Sequence, residues 1–518
     1  MTEPRVTPGL ETSPIFQVRG QRSRWRYPHD RLTPEHCRVL ENCNLSERGT
    51  AARRKGHTKW NSTAAALSEA IVGLFQRSWD GGGQNELVIT PLKVYVDDGT
   101  TQTDITNAMA MTGTDEDRFI GAFVQNKLIL SNGVDASIVK DNDFSTPTMD
   151  ALTGMQWTVC LGFLAHKSVL VAFKTTEDGT SFPNRLRWSD VDAKTFTADI
   201  TTWPPLNVFD LDEGEVGIVG GVSNWSRIFI FKPDGVRAGK LVTRVGRNEI
   251  VFDEAELLGF SPISKHLVAR PEFIAGVARE GMFVIRPDMQ TFEIVTKDIT
   301  EAWEALDKAR LKYAIPYVEE KDHQVRCMVA STTISNGFDK EVIWDWETGD
   351  AWIDNVGTEF RFNVAAPQGI ELSGVQSAWK GSYNKGYTYR GAVGTTDDGT
   401  EHDFIIHMEE NDLGFSGKTK TIINFRTIYR GKVGTQTITL DLFLDRGILE
   451  TSQDTLSLGT SLKYNAGNKY NSGLSWPGGA NQRADSFINR QCVTLSPRWT
   501  GTNDFELVGY QVEFQLEE

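Results

Sequence analysis

The chain has 518 residues and a formal net charge of −15, from 54 lysines and arginines against 69 aspartates and glutamates. This length exceeds one ordinary hydrophobic core, so we expect two or three domains. No apolar run reaches the roughly 18 residues of a membrane-spanning helix, so a membrane span is not expected. The polar segment from Met1 to Pro14 has no apolar stretch, so export through a signal peptide is not expected either.

Five cysteines are scattered along the chain, and their number and spacing favour a protein made in a reducing cytoplasm. No pair of them has the spacing of zinc ligands with matching partners. We therefore expect small buried or surface thiols, and neither a metal nor a cofactor. The cysteines are Cys37, Cys43, Cys160, Cys327 and Cys492.

The N-terminal segment differs in charge from the rest of the chain. Residues 1–60 hold 12 lysines and arginines against 6 acids, a local charge of +6 that leaves −21 on the remainder. A basic segment suits an acidic protein partner or a phosphate backbone, or it pairs with acids of the same chain. Thr33 and Pro34 are typical of a helix start and predict a short helix from Pro34 to about Glu41. We expect residues 1–67 to form an N-terminal arm.

Between Ile71 and Met408 a pattern of short apolar runs and turn residues restarts about every 50 residues. Such a unit cannot bury both faces alone, and a closed ring of units leaves only short edges. The pattern predicts an all-β fold with a propeller of about seven blades over residues 68–412. N-terminal strands could complete the last blade, which leaves the blade count open by one. The restarts fall near Ile71, Phe119, Val169, Val216, Leu267, Tyr313 and Val375.

The repeat is interrupted once and ends before the C-terminus. Asp298 and Glu301 predict a helix between the fifth and sixth units. From about Lys418 the sequence changes to strict alternation, as in the apolar positions between Ile438 and Leu444. This alternation predicts a C-terminal antiparallel β-sandwich over residues 413–518.

The sequence contains side chains that could serve glycan chemistry, but none of its acidic pairs stands out as catalytic. Glycosidases use paired carboxylates, yet each acidic pair here is as easily explained by a turn. The segment from Thr176 to Phe182 faintly resembles the Asp-box turn of sialidase-like propellers, one residue short and without recurrence. Tryptophans at blade contacts suit sugar binding, although core packing explains them better. The acids are Asp97, Asp98, Asp190, Asp192, Asp210 and Asp212, and the tryptophans are Trp188, Trp344, Trp346 and Trp352.

Three segments resemble the tail nozzle proteins of short-tailed bacteriophages, also called tail hub or packaged-DNA stabilisation proteins. Glu41–Trp60 is similar to their opening, with Asn42, a polar turn containing Gly49, and an arginine-rich stretch that ends at Gly56. Asn184–Phe196 is similar to their blade motif, a strand that ends in Ser-Asp before a short loop and an aromatic residue. Trp499–Gln515 is similar to their closing strand pair.

The resemblance implies a structural protein of the virion tail, assembled in the host cytoplasm, and not an enzyme. Such proteins form a hexameric ring below the portal and the adaptor (head-to-tail connector). The ring extends the DNA channel, retains the packaged genome until ejection, and anchors tail fibres or a needle. Genomic DNA would pass without sequence-specific binding, which suits an acidic body because each neutralised phosphate adds affinity.

The basic segment is the candidate partner site. We expect its cations to dock on the adaptor or on a neighbouring subunit; contact with DNA phosphates in the channel is the runner-up. A propeller-fold glycan-binding protein or glycosidase is the alternative function. The candidate residues are Arg48, Arg53, Arg54, Lys55 and Lys59.

Overall fold

Seven four-stranded antiparallel sheets follow one another along the chain, and each is one blade of a β-propeller. The innermost strands, in chain order, are Gly73–Ser78, Ile120–Val124, Val159–His166, Gly220–Asn224, Val268–Ala269, Ile315–Glu319 and Phe362–Ala366. The second strands are Gln84–Ile89, Lys127–Ser131, Val169–Glu177, Arg227–Lys232, Ile274–Val277, Gln324–Val329 and Trp379–Ser382. The third strands are Val94–Asp97, Ile138–Asp141, Thr180–Trp188, Gly235–Arg244, Met282–Ile285, Lys340–Asp345 and Thr388–Arg390. The outermost strands are Gln102–Asp104, Asp150–Ala151, Val208–Asp210, Arg247–Leu258, Phe292–Ile294, Ala351–Asn355 and Thr58–Lys59.

These elements come from a computed structural model that describes most of the chain. The described residues are 10–21, 35–45, 49–63, 66–78, 84–107, 109–124, 127–141, 149–191, 198–211, 216–244, 247–258, 260–287, 292–357, 360–366, 378–391, 394, 396–431, 436–445, 448–458, 482–502 and 505–517. Among them, no helix is long and apolar enough to cross a membrane.

The blades form a closed ring because neighbouring innermost strands contact each other around one axis. Blades 1 and 2 are joined by a hydrogen bond of 3.0 Å from the amide of Phe119 to the carbonyl of Val72. Apolar side chains pack between blades, as where Leu87 of blade 1 shares a core with Leu128 of blade 2. A strand covered on both faces is apolar along its whole length, and all six residues of Gln324–Val329 are buried.

The last blade is completed by the N-terminal segment, so the count is seven. Lys59 pairs with Tyr389 and Thr58 with Arg390, in an antiparallel register. The next residue, Trp60, packs on Trp379 of the same blade, with ring centroids 4.3 Å apart. This pairing closes the ring between two parts of the chain that are far apart in sequence.

Five of the predicted restarts lie within a few residues of an innermost strand, and two do not. Val169 begins the second strand of blade 3, because both strands of the hairpin from Val159 to Glu177 are apolar and the first was not recognised. Blade 7 begins at Phe362, ahead of the predicted Val375, which lies outside the described residues. The strand Phe404–Met408 lies within the range 68–412 predicted for the propeller, but it belongs to the sandwich.

The predicted helix from Pro34 to Glu41 is wrong. Pro34 lies outside the described residues, and His36–Glu41 is a β-strand. Cys37 and Leu40 of this strand are fully buried, and the strand pairs with Phe404–Met408. Pairing within a sheet outweighs the local preference of a Thr-Pro-Glu helix start, which is a weak determinant.

Two six-stranded sheets form the C-terminal β-sandwich around one core. The first sheet contains Leu10–Thr12, Cys43–Leu45, Ala51–Arg53, Phe505–Leu516, Lys420–Gly431 and Gln482–Cys492. The second contains Arg19–Gln21, His36–Glu41, Phe404–Met408, Leu495–Gly501, Gln436–Leu444 and Ile448–Leu458. Strands of residues 10–53 therefore belong to the sandwich, so the units of the fold differ from the predicted divisions at residues 67 and 412. The predicted inward positions between Ile438 and Leu444 are buried.

The sandwich packs on blade 6 through a shared apolar core. Trp352 and Ile343 of that blade are both fully buried among side chains of the two sandwich sheets. A short helix, Thr300–Glu304, precedes blade 6 and follows the 3-10 turn Lys297–Ile299. Further 3-10 turns are Leu311–Tyr313 and Glu320–Asp322.

Removal of the Trp379 side chain tests how much the closing blade contributes to stability. This side chain is fully buried, so Trp379→Ala should lower the free energy of unfolding by about 3–5 kcal/mol. Phe487→Ala is the control, because Phe487 is 84% exposed and its loss should cost no more than about 0.5 kcal/mol. Denaturant unfolding measures both, and equal losses would contradict the packing described above.

Candidate functional site

The structure separates the five predicted partner-binding cations. Arg48 lies outside the described residues, whereas Arg53 and Arg54 are buried, at 5% and 3% exposure. Lys55 is exposed, and Lys59 is partly exposed in the strand that closes the ring. The cations therefore do not form one surface patch, and Lys55 is the member most accessible to a partner.

Arg54 is bound inside the chain. Its guanidinium forms a two-pronged ion pair with Asp397, with distances of 2.5 Å from Nη2 to Oδ2 and 3.1 Å from Nη1 to Oδ1. Its Nε donates to the side-chain oxygen of Asn42 at 3.0 Å. Asp397 lies in the short hairpin Thr396–Asp397 and Thr400–Glu401, just after blade 7. Arg54 therefore pairs with an acid of the same chain, which was one of the alternatives for the basic segment.

His57 connects this ion pair to blade 7. Its Nδ1 lies 2.7 Å from Oδ1 of Asp397, and its Nε2 lies 2.9 Å from Nζ of Lys380. Because a lysine ammonium only donates, Nε2 accepts and Nδ1–H donates to Asp397. Burial, and next the charge of Lys380, lowers the pKa of His57 to about 4. Burial alone would raise the pKa of Asp397, but His57 and Arg54 outweigh it and hold that pKa well below its usual range.

The network continues into blade 6. Lys380 donates to Oε1 of Glu341 at 2.5 Å, and Arg326 lies 3.3 Å from Oε2 of the same carboxylate. Arg326 also lies 3.6 Å from Asp354. Burial alone would raise the pKa of Glu341, but Lys380 and Arg326 lower it to about 2. We call the following set the closure network: Arg54, His57, Arg326, Glu341, Asp354, Lys380 and Asp397.

The closure network joins the N-terminal segment, blades 6 and 7, and the hairpin after blade 7. All of its side chains are at most 8% exposed. A buried charge is tolerated only when it is paired and hydrogen-bonded, and each charge here has an opposite charge beside it. The closure network is therefore a structural joint, because its acidic and basic side chains pair with each other.

An acidic groove lies beside this joint, in a cavity of about 580 Å³. Burial lowers the pKa of His402 at its wall to about 3. The acids of the groove come from the hairpin after blade 7 and from the sandwich, and two of them, Asp397 and Asp398, already pair with Arg54 and Lys59. The run of acids from Asp397 to Asp403 is the local sequence signal for this groove. The ionisable lining residues are Glu41, Lys385, Asp397, Asp398, Glu401, His402 and Asp403.

The acids considered for glycan chemistry are held in turns and ion pairs. Asp97 accepts from Asn61 at 2.9 Å, and Arg185 donates to both oxygens of Asp210 at 2.8 and 2.7 Å. Asp98 accepts the amides of its own turn. Asp192 and Asp212 lie outside the described residues. Across the part of the chain that the structure describes, no group of three His, Cys, Asp or Glu side chains could hold a metal ion.

The turn at Asp178 and Gly179 is a hairpin turn in blade 3. Both residues have positive φ, 47° and 79°, which suits the Asp-Gly turns that connect two strands. The preceding Glu177 is bound by Arg187 at 2.7 Å. This arrangement explains the resemblance to an Asp-box by strand pairing alone.

The tryptophans considered for sugar binding pack mostly inside the protein. Trp188, Trp344 and Trp352 are at most 3% exposed. Trp346 is partly buried, with the guanidinium of Arg270 4.6 Å from the centre of its ring. Their placement agrees with core packing.

The axis of the propeller holds a small cavity of about 290 Å³, lined by residues of all seven blades. This volume lies at the lower limit of small-molecule sites, roughly 300–1,000 Å³, so the cavity has no room for a DNA duplex.

The described fold is similar to several solved structures. A chain of the crystal structure of BBS1N in complex with ARL6DN, soaked with lead, aligns with a TM-score of 0.42 and 10% identity over 66% of this chain and 99% of that one. The N-terminal domain of Nup159 aligns with a TM-score of 0.38 and 12% identity over 68% and 97%. The extracellular domain of the putative one-component system BT4673 from B. thetaiotaomicron aligns with a TM-score of 0.41 and 9% identity over 78% and 48%. These likenesses concern the fold alone. No protein-family description and no curated protein matches the chain.

Removal of the Asp397 charge tests the closure network. Asp397→Asn leaves Arg54 buried without its carboxylate, and the free energy of unfolding should fall by about 3–5 kcal/mol. Asp398→Asn is the matched control, because the neighbouring Asp398 is partly exposed and pairs with Lys59 at 3.2 Å; its loss should cost less than about 1 kcal/mol. Chemical denaturation compares them, and a loss below that of Asp398→Asn would show that the pair is not a joint.

His57 contributes to the pH dependence of the free energy of unfolding, and its lowered pKa gives the sign of that contribution. In the unfolded chain His57 titrates near its ordinary 6.5, and in the folded chain near 4. Between these values only the unfolded chain binds the proton, so stability is lost as the pH falls through this window.

His57→Gln should make the loss of stability between pH 6.5 and 4 smaller by up to roughly 3 kcal/mol. Denaturant unfolding over this pH range measures the slope, and His323→Gln, at a histidine whose side chain is 41% exposed, serves as control. An unchanged slope in His57→Gln would contradict a neutral, buried His57.

Proposed function

We propose that this chain is a structural component of the tail of a short-tailed bacteriophage. About six copies would form a ring below the portal and the adaptor, extend the DNA channel, retain the packaged genome and anchor fibres or a needle. The proposal starts from the three segments that resemble tail nozzle proteins, and the geometry of the first of them supports it.

The observation that carries the proposal is that motif residues of this segment act together. Asn42 and Arg54 are hydrogen-bonded to each other. Arg54 also pairs with Asp397 of the hairpin after blade 7, and Asn42 donates to the carbonyl of Asp403 just beyond that hairpin. A Cβ on Gly56 would overlap the backbone of Thr396, so the glycine that ends the arginine-rich stretch is required by close packing. The stretch that carries the resemblance is therefore the joint on which the fold closes.

The narrow propeller axis constrains how DNA would pass. Since the axial cavity has only about 290 Å³, the DNA channel would run between copies, along the middle of their ring. The acidic surface suits this role, because a channel that transmits DNA should not neutralise its phosphates.

Lys55 is the residue through which the basic segment would meet the adaptor or a neighbouring copy. It is exposed, and it lies beside the buried Arg53 and Arg54, which hold the segment in place. The charge reversal that tests docking without disturbing the fold is therefore Lys55→Glu, because reversal of Arg54 would disrupt the closure network.

Two measurements test the proposal. Native mass spectrometry of the full chain with the adaptor of its phage should show rings of about six copies. Lys55→Glu should weaken adaptor binding by about fivefold to tenfold, while Lys240→Glu, at an exposed lysine of blade 4, should not. A chain that stays monomeric with the adaptor, or equal binding by both variants, would contradict the ring and the docking segment respectively.

A further inference from the structure

One end of the propeller axis opens into a cavity of about 560 Å³ that is rich in lysine. We call this cavity the basic mouth. Three lysines line it, from three different blades or from the turns before them, together with hydroxyl and amide groups and two acids. Its polar lining residues are Glu116, Asp117, Asn132, Lys174, Thr176, Ser181, Lys265, Lys312 and Tyr313.

Lys265 forms the wall between the basic mouth and the axial cavity. It lines both cavities. It precedes the first strand of blade 5, and its Nζ donates to the carbonyl of Arg118 at 2.6 Å and, at 3.4 Å, to that of Asn132. Both acceptors belong to blade 2, so the side chain crosses the axis. An ammonium has three donors, and these two carbonyls leave one donor for a group in the cavity.

Positive charge around Lys265 is only partly balanced. The Arg118 side chain is 1% exposed, and its charge is met by the neutral Asn363, which accepts at 2.5 and 2.7 Å. One guanidinium nitrogen of Arg118 has no hydrogen-bond partner among the described residues. Arg310 is 8% exposed, and its nearest acid is Glu116 at 3.7 Å.

The acids near the mouth do not form hydrogen bonds with the guanidinium groups of Arg118 and Arg310. Asp117 is held by the amide and hydroxyl of Thr114, both at 2.7 Å. None of the three guanidinium nitrogens of Arg310 has a hydrogen-bond partner within the described ranges. Burial, and next the charge of Arg118, lowers the pKa of Lys265 to about 7. Burial, and next Arg310, lowers that of Arg118 to about 9. The three lysines of the mouth thus outnumber its two acids, although the chain as a whole is strongly acidic.

Lys174 reaches the mouth because of a local irregularity in blade 3. The register with the neighbouring strand shifts between Phe173 and Thr175, and Lys174 between them has a φ of 54°. A bulge of this kind turns a side chain away from the regular alternation, and here the turned side chain is a lysine of the cavity wall.

We propose that the basic mouth binds a small molecule through an oxyanion, a phosphate or a carboxylate, held by Lys265 and by Lys174 and Lys312 at the rim. A volume of about 560 Å³ lies in the range of small-molecule sites, roughly 300–1,000 Å³. Hydroxyls of Thr176 and Ser181 and the ring of Tyr313 would contact the rest of the ligand. This proposal does not rest on the ring function.

Isothermal titration calorimetry of the full chain at low ionic strength tests the site, because salt screens such contacts. The probes are inorganic phosphate and glucuronate, a phosphate and a carboxylate. At least one of them should bind saturably, and Lys265→Met should weaken it at least about tenfold, roughly the loss of one charge-assisted contact. Lys321→Met, at an exposed lysine outside the mouth, should bind as the unaltered chain does.

Further variants keep the test informative if Lys265→Met unfolds. Lys174 and Lys312 are exposed at the rim, so their changes to Met should leave the melting temperature in place and weaken binding severalfold. The proposal is overturned if neither probe saturates by about 10 mM, or if the rim variants bind as tightly as Lys321→Met. Displacement of phosphate by a short DNA duplex at equal phosphate concentration would also overturn it, in favour of a nucleic-acid site.

Discussion

The ion pair between Arg54 and Asp397 is the interaction on which the rest of the structure depends. It joins residues 343 positions apart, and it lies where the N-terminal strand enters the last blade of the propeller. A buried charge without a partner is very costly. The segment around Arg54 is therefore stable in its buried position only when the carboxylate of Asp397 lies beside it. The pair therefore specifies how the ring closes more than it adds net stability.

The same joint links the propeller to the sandwich. The strands that precede the closing strand Thr58–Lys59 belong to the sandwich sheets, and the amide of Cys43 in one of them donates to Asp354 of blade 6 at 3.3 Å. Trp352 extends this contact with apolar surface. The N-terminal segment therefore contributes strands to both units and couples them. This coupling suits a ring component that has to resist the pressure of a packaged genome, as the proposed function requires.

Much of the fold could be predicted from the sequence because strands buried on both faces have a local signature. The recurrence of apolar runs and the alternation from Ile438 to Leu444 mark the blades and the sandwich. The strand at His36–Glu41 could not be predicted, since its partner, Phe404–Met408, is distant in sequence and its local signals favour a helix. The burial of Arg54 could not be predicted for the same reason. A basic run looks like a surface patch when the acid that pairs with it, Asp397, is distant in the sequence.

The basic mouth escaped prediction for the same physical reason. Lys174, Lys265 and Lys312 are far apart in the sequence, and each looks like an ordinary solvated lysine. Only the circular order of the blades brings them to one end of the axis. The acidic groove, by contrast, had a local signal in the run of acids after blade 7. Sites made by one loop can be found from the sequence, whereas sites made by the closure of a ring require the fold.

The most direct test of the proposed function is quantitative mass spectrometry of purified phage particles from the source of this chain. A tail ring of this chain should be present at about six copies for each twelvefold portal ring. Absence of the chain from the particles would contradict the proposed function.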